Sequence, residues 1–427
     1  MAEYKKITLP NGLKLVLYRM PEANSITAEI GVKAGPAYEN AENSGVAHFL
    51  EHMLFEGTKK FPDSKKLAMF IEKSGGKGWA VTNKDNVSYG ARVPAGKLKI
   101  AFDYLRELVF NPLLRKQSLQ NEKQMILEEF GSKADTPSEY IWDLWFEFLY
   151  GKKQSLGNPI TGDRKTIKSI TKADLNKYLR KYYSPKNMVA VVTGNFNFRE
   201  AEQKAIKTFS DKKTSSKSKL PTPKITNGKE NIRIVNRNLK QVHSISGFMT
   251  NITYNHPDRL ALMLIADLLG EGATSRLYQG LVYDSGLAYS LSVDYWSILN
   301  SGMLCVYTSF SPLKFTMVNK LIFDAIKKLR DKKVPASELA LTKEKNIASI
   351  LFVCESTDVM ADYIIGEELM SDSFTPLEKL RSKIMSISPE IIQQTASKYF
   401  KEENFRQIIL GNKKSFKTPS LKLSSVL

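Results

Sequence analysis

The stretch Gly45-Val46-Ala47-His48-Phe49-Leu50-Glu51-His52-Met53-Leu54-Phe55-Glu56-Gly57-Thr58 holds two of the four histidines in a chain of 427 residues. His48 and His52 stand four apart, with Glu51 directly before the second. On an α-helix such positions lie on one face, one turn apart. Two imidazoles so placed can grip one metal ion, with the Glu51 carboxylate beside the open coordination position. The apolar residues around them predict a buried helix.

Two imidazoles do not complete a catalytic zinc site, which takes three protein ligands and a water. The other histidines, His243 and His256, fall in the second half of the chain and read as a strand residue and a His-Pro turn. A carboxylate from the first half is the better third ligand. A helix predicted over 116–130 places Leu119, Glu122, Ile126 and Glu129 on one face. Carboxylates among apolar side chains are costly unless paired or metal-bound. Both Glu122 and Glu129 are therefore candidates, whereas Glu128 points about 100° away.

Hydrophobic residues make up 42% of the chain and charged ones 25%, a globular composition. The net charge is +19, but the lysines are scattered, as in Lys59-Lys60, Lys212-Lys213 and Lys327-Lys328. They read as solvated faces and not as an aromatic-interleaved nucleic-acid stripe. The longest apolar run, Leu260 to Leu269, contains Asp267 and is too short for a membrane span. The N-terminus has no secretory pattern, and Cys305 and Cys354 have neither disulfide nor metal spacing. The expected location is cytoplasmic.

Alternating segments predict strands in 4–34, 79–93, 188–192, 232–248 and 289–307, with helices at 64–74, 98–110, 116–130, 137–150 and 258–269. Residues 211–229, rich in Lys, Ser, Thr and Pro, read as a linker. An internal repeat organises the rest. Ser169-Ile170-Thr171 matches Ser386-Ile387-Ser388, Tyr182-Tyr183 matches Tyr399-Phe400, and Gly194-Asn195 matches Gly411-Asn412, all at an offset of 217. This argues a duplicated α+β fold with homologous domains over 1–210 and 230–427. Each is expected to be a mainly antiparallel sheet with helices packed on one side. Aligning Glu56-Gly57 with Glu271-Gly272 carries His48, Glu51 and His52 onto Met263, Ala266 and Asp267. The second domain is expected to keep the helix and lack the metal.

The motif His48-Phe49-Leu50-Glu51-His52 followed by Met-Leu-Phe-Glu-Gly-Thr resembles the inverted zinc motif of the pitrilysin, insulinase and mitochondrial processing peptidase family. The resemblance extends through Asn11-Gly12-Leu13, Gly75-Gly76, Asn111-Pro112, Pro185-Lys186-Asn187 and Ser275-Arg276-Leu277. It implies a zinc endopeptidase whose third ligand is Glu129, with Glu122 as a supporting active-site carboxylate. It also implies a half-size subunit that pairs with a second homologous chain, as a homo- or heterodimer, to enclose peptides. In the family an edge strand, here Ala80-Val81-Thr82, pairs with the substrate backbone, and an Arg/Tyr pair holds the substrate. Tyr289 matches the tyrosine. Two positions depart from the pattern: Trp79 replaces an asparagine before the edge strand, and Val282 occupies the arginine position.

These residues lead to a zinc-dependent endopeptidase of peptides or unfolded segments, with Glu51 as general base on a zinc-activated water. A partner chain with an intact Arg/Tyr pair would complete the substrate clamp. The alternative is a non-catalytic metal-binding subunit of such a complex, which Val282 and Trp79 favour and the intact Glu51 opposes.

Overall fold

A computed structural model describes residues 3–212, 221–222, 224–225, 230–299 and 301–416. Most of the expected linker 211–229 lies outside the described residues. The chain forms two compact units. One comprises Met1–Ser132, Lys152–Pro221 and Ile350–Thr375; the other comprises Lys133–Gly151, Thr222–Ser349 and Pro376–Leu427.

The first unit is built on strands β1 (Glu3–Thr8), β2 (Lys14–Arg19), β3 (Ser25–Val32), β4 (Lys77–Thr82), β5 (Val87–Pro94) and β6 (Met188–Gly194). They run in the order β1-β2-β6-β3-β5-β4. Only the β2–β6 pair is parallel. The β1–β2 turn uses Asn11-Gly12, with Gly12 at φ 89° and the Asn11 amide donating to the Phe209 carbonyl. The second unit carries β7 (Ile232–Asn236), β8 (Val242–Met249), β9 (Ala288–Ile298), β10 (Ser301–Phe310) and β11 (Phe405–Gly411), ordered β7-β11-β8-β10-β9. Set β7 on β2 and this order repeats that of the first sheet strand for strand, including the one parallel pair, β7–β11.

The mixed α+β class is as the sequence predicts. Each sheet is also covered on its second face by one helix from the other half of the chain. β6, β8, β10 and β11 are buried along their whole length, and β3 at all but its first residue. A strand buried on both faces needs a covering layer on both. In the first sheet, one face packs against the helices Val46–Phe55 and Leu98–Phe110, and the Tyr183 hydroxyl, just past the helix Lys172–Tyr182, meets that of Tyr89 at 2.7 Å. The other is covered by the helix Thr357–Ser371 from far along the chain. Thr27 Oγ1 meets Thr357 Oγ1 at 2.9 Å, and a Cβ on Gly31 would lie 2.8 Å from both Ile365 and Leu369. In the second sheet the equivalent cover is the helix Pro137–Tyr150. Its Trp145, fully buried, lies so close to Gly247 that a Cβ there would fall 2.7 Å from the indole. Trp145 Nε1 donates to Met303 Sδ at 3.4 Å, and the Tyr150 and Ser301 hydroxyls meet at 2.8 Å. The compact units thus differ from the halves 1–210 and 230–427, because a covering helix follows its sheet and not its place in the sequence.

Candidate metal centre

The motif helix spans Val46–Phe55, as its spacing predicts. Its apolar side chains fill the first unit's core, with Phe49, Leu50, Met53 and Leu54 fully buried. That burial fixes the helix rotation and turns His48 and His52 to one side, their rings 4.6 Å apart. The second helix, Lys116–Asp135, buries Leu119, Glu122 and Ile126. It brings both carboxylates of that face to the imidazoles, and they meet different nitrogens. Glu129 Oε1 lies 3.7 Å from His48 Nε2, and Glu129 Oε2 lies 3.8 Å from His52 Nε2. Glu122 Oε2 lies 3.0 Å from His52 Nδ1.

This division of labour separates the two glutamates. Glu122 is buried and placed to accept a proton from His52 Nδ1; in the neutral tautomer that bond favours, the Nε2 lone pair faces Glu129. Glu129 is exposed and shares its carboxylate between the two Nε2 atoms. One ligand atom each from His48, His52 and Glu129 fall within 4.8 Å of one another, the sole such cluster among the described residues. A tetrahedral zinc with bonds of about 2.1 Å sets its ligand atoms about 3.4 Å apart. The two Glu129–imidazole separations stand a few tenths of an ångström above that spacing, and one donor atom from each residue lies within 4.8 Å of the others, so two imidazoles and a carboxylate fit that ion.

Glu51 is half-buried on the same helix and accepts a hydrogen bond from Thr82 Oγ1 at 2.5 Å. Burial raises its pKa; the Thr82 hydrogen bond and His52 oppose the rise, and the Glu129 charge adds to it. For His52, burial works against protonation. The Glu122 hydrogen bond and the charges of Glu51, Glu122 and Glu129 outweigh it and lift the imidazole above its ordinary value.

β4 closes one edge of the sheet and pairs with β5 alone among the described residues. Successive strand side chains alternate between faces. Thr82, Ala80 and Gly78 therefore share the face toward the helices, where Thr82 reaches Glu51 and Gly78 abuts the Tyr104 hydroxyl. Val81 is exposed on the opposite face. Trp79 lies on that face too, packed flat on Gly90, where a Cβ would fall 2.2 Å from the indole. The family resemblance implies a substrate contact for Thr82 and does not reveal its bond to Glu51. The signal was available in the two-residue alternation, once the strand was placed beside the motif helix.

Tyr289 belongs to the second unit, where it is 64% exposed on the edge strand β9. Val282 lies in the short helical turn Gln279–Tyr283 before it. In the helix Arg259–Gly270, Asp267 accepts a hydrogen bond from Asn346 Nδ2 at 2.9 Å. Asn346 lies 217 residues beyond Glu129, so a neutral amide-carboxylate bond occupies the repeat positions of His52 and Glu129.

Two sequence-family models match the chain. Residues 14–164 match "Insulinase (Peptidase family M16)" and residues 169–346 match "Peptidase M16 inactive domain". The chain belongs to the insulinase family of peptidases, M16. The first match contains the three candidate metal ligands and Glu51; the second contains the Asp267–Asn346 pair. Among its relatives, an "Uncharacterized zinc protease" of Rickettsia felis is 29% identical over 95% of this chain and 97% of its own. The Bacillus subtilis protein "Uncharacterized zinc protease YmxG" is 28% identical over 93% and 96%. The fold is that of a Helicobacter pylori protease crystal structure, with a TM-score of 0.89 at 21% identity over 96% of this chain and all of the other. A Pseudomonas fluorescens structure titled as a peptidase M16 inactive domain matches with the same TM-score at 20% identity over 97% of this chain and all of the other. Among the described residues no helix is long and apolar enough to cross a membrane.

Proposed function

We propose that the chain is a zinc-dependent endopeptidase acting on peptides or unfolded segments. The observation that carries this reading is the meeting of His48, His52 and Glu129 with Glu51 on the same helix. His48 and His52 through Nε2, with Glu129, would hold the ion. Bound there, zinc supplies Lewis acidity, polarising a peptide carbonyl and making a water acidic near neutral pH. Glu51 takes the proton from the attacking water as the C–O bond forms. It then delivers that proton to the amide nitrogen as the C–N bond breaks. Thr82 holds Oε2 in place, so Oε1 handles the proton. The raised pKa of Glu51 strengthens it as a base. Glu122 fixes the His52 tautomer, and the free edge of β4 offers main-chain hydrogen bonds to an extended peptide.

Val282 and the exposed Tyr289 support a shared clamp, in which a second homologous subunit supplies the arginine. The second reading, a metal-binding subunit without activity of its own, is favoured by Val282 and Trp79. Cleavage of a quenched peptide library by wild type and Glu51→Gln, each with and without a candidate partner, tests both. Retained zinc with cleavage reduced at least about 100-fold in the variant supports the endopeptidase. No cleavage by wild type in any pairing supports the second reading.

A further inference from the structure

The motif helix begins without a cap of its own. Its N-cap residue is Gly45, at φ 90°, and no acidic residue occupies its first turn. Gly45 cannot be exchanged for a capping serine or aspartate, because a Cβ there would sit 2.5 Å from the Thr161 carbonyl oxygen. Gly162 presses from the other side, with its own Cβ position 2.4 Å from the Ser44 oxygen. Yet a helix leaves its first four N–H groups without partners, and they need an acceptor.

Glu39, six residues upstream and nine-tenths buried, is that acceptor. Its Oε2 receives Gly45 N–H and its Oε1 receives Ala47 N–H, both at 2.8 Å. A carboxylate here also complements the positive end of the helix dipole; burial pushes its pKa up to about 7, against the Ala47 and Gly45 hydrogen bonds and the charge of Lys84. The loop carrying Glu39 is tied to the β4–β5 turn by Ala37 N–H to Lys84 O at 2.7 Å. Thr82, which holds Glu51, ends β4 at that turn. One loop therefore anchors the start of the motif helix and the strand end that orients its base.

We propose that Glu39 is a positioning residue of the metal centre, a remote carboxylate cap that fixes the first turn of the motif helix and so sets His48, Glu51 and His52 against Glu129. The inference rests on the zinc reading of that site.

The test compares full-length wild type, Glu39→Gln and Glu39→Asp with Asp63→Ala. Asp63 caps the neighbouring helix Ser64–Glu72 through Lys66 N–H, so its loss controls for the general cost of uncapping a helix. Zinc affinity is read by competition with a chromophoric chelator, and kcat and KM on a quenched peptide. Glu39→Gln keeps one acceptor and turns an amide N–H toward the second donor. Its zinc affinity and kcat are each expected to fall about tenfold, as for other residues that orient ligands, with KM within about twofold. Glu39→Asp keeps the charge with a shorter reach and is expected between the two. Asp63→Ala is expected to bind zinc and turn over as wild type does. Wild-type affinity and kcat in Glu39→Gln, or an equal loss in Asp63→Ala, overturn the proposal. If Glu39→Gln does not fold, Glu39→Asp with wild-type affinity and kcat overturns it. Wild type that takes up no zinc refutes the site reading itself. Glu39 is then judged by amide exchange in the metal-free protein, where fast exchange at Gly45 and Ala47 overturns the cap.

Discussion

Replacing Glu122 by Gln isolates one hydrogen bond at the metal centre. Glu122 Oε2 lies 3.0 Å from His52 Nδ1 in a buried setting. The amide oxygen of Gln can still accept the Nδ1 proton, so the tautomer is kept and only the negative charge is lost. A carboxylate behind a ligating histidine raises its basicity, and losing such a partner typically costs 10–100-fold in metal affinity, or about 1.4–2.7 kcal/mol. The same charge lifts the His52 pKa in the metal-free protein. Below that pKa a proton competes with the metal for His52. The variant suffers less of this competition, so its deficit should be largest at about pH 8 and shrink toward pH 6. The assay is zinc titration of metal-free protein against a fluorescent chelator at both pH values, with thermal unfolding of the metal-free forms to register any loss of fold. Equal affinities at pH 8, or a deficit that grows on acidification, would refute the assignment of Glu122 as the partner that tunes His52.

Two further predictions concern the covering helices. Trp145→Ala empties a fully buried site against Gly247 and Met303, and should cost about 3–5 kcal/mol in urea unfolding; a loss below about 1 kcal/mol would contradict that packing. Glu29 is buried in β3 under the helix Thr357–Ser371, and burial, reinforced by Asp362, raises its pKa from 4.5 to about 8. The fold thus keeps a proton that the unfolded chain releases, so this stability is complete below about pH 4.5 and is lost as pH rises through about 8. Glu29→Gln removes the ionisation and should gain on wild type by roughly 4 kcal/mol between pH 5 and 9; a stability difference that does not change with pH would contradict it.

The parts of the site that depend on helical spacing were legible in the chain. His48, Glu51 and His52 lie within one helix, and Leu119, Glu122, Ile126 and Glu129 declare one face by their intervals. Spacing alone left Glu122 and Glu129 equivalent, because both sit on that face two turns apart. Only the packing of one helix on the other assigns Glu129 to the two Nε2 atoms and Glu122 to Nδ1. The covering helices escaped for a related reason. The apolar side chains of Pro137–Tyr150 predict burial, but amphipathicity does not say which sheet does the burying. What calls for a layer on each face is the unbroken burial of β6, β8, β10 and β11, which only the folded sheets show. Glu39 escaped because its role follows from a glycine contact with Thr161, a residue more than a hundred positions away.

The most direct measurement is zinc content and peptide cleavage on the same samples of wild type and His52→Ala, before and after chelation and on re-addition of stoichiometric zinc, with the partner subunit present if one is required. The account predicts one zinc per wild-type chain, cleavage lost with the metal and restored by it, and no zinc-restored cleavage in the variant. Cleavage that survives complete removal of zinc, or a His52→Ala chain that holds zinc and cleaves as wild type does, would contradict it.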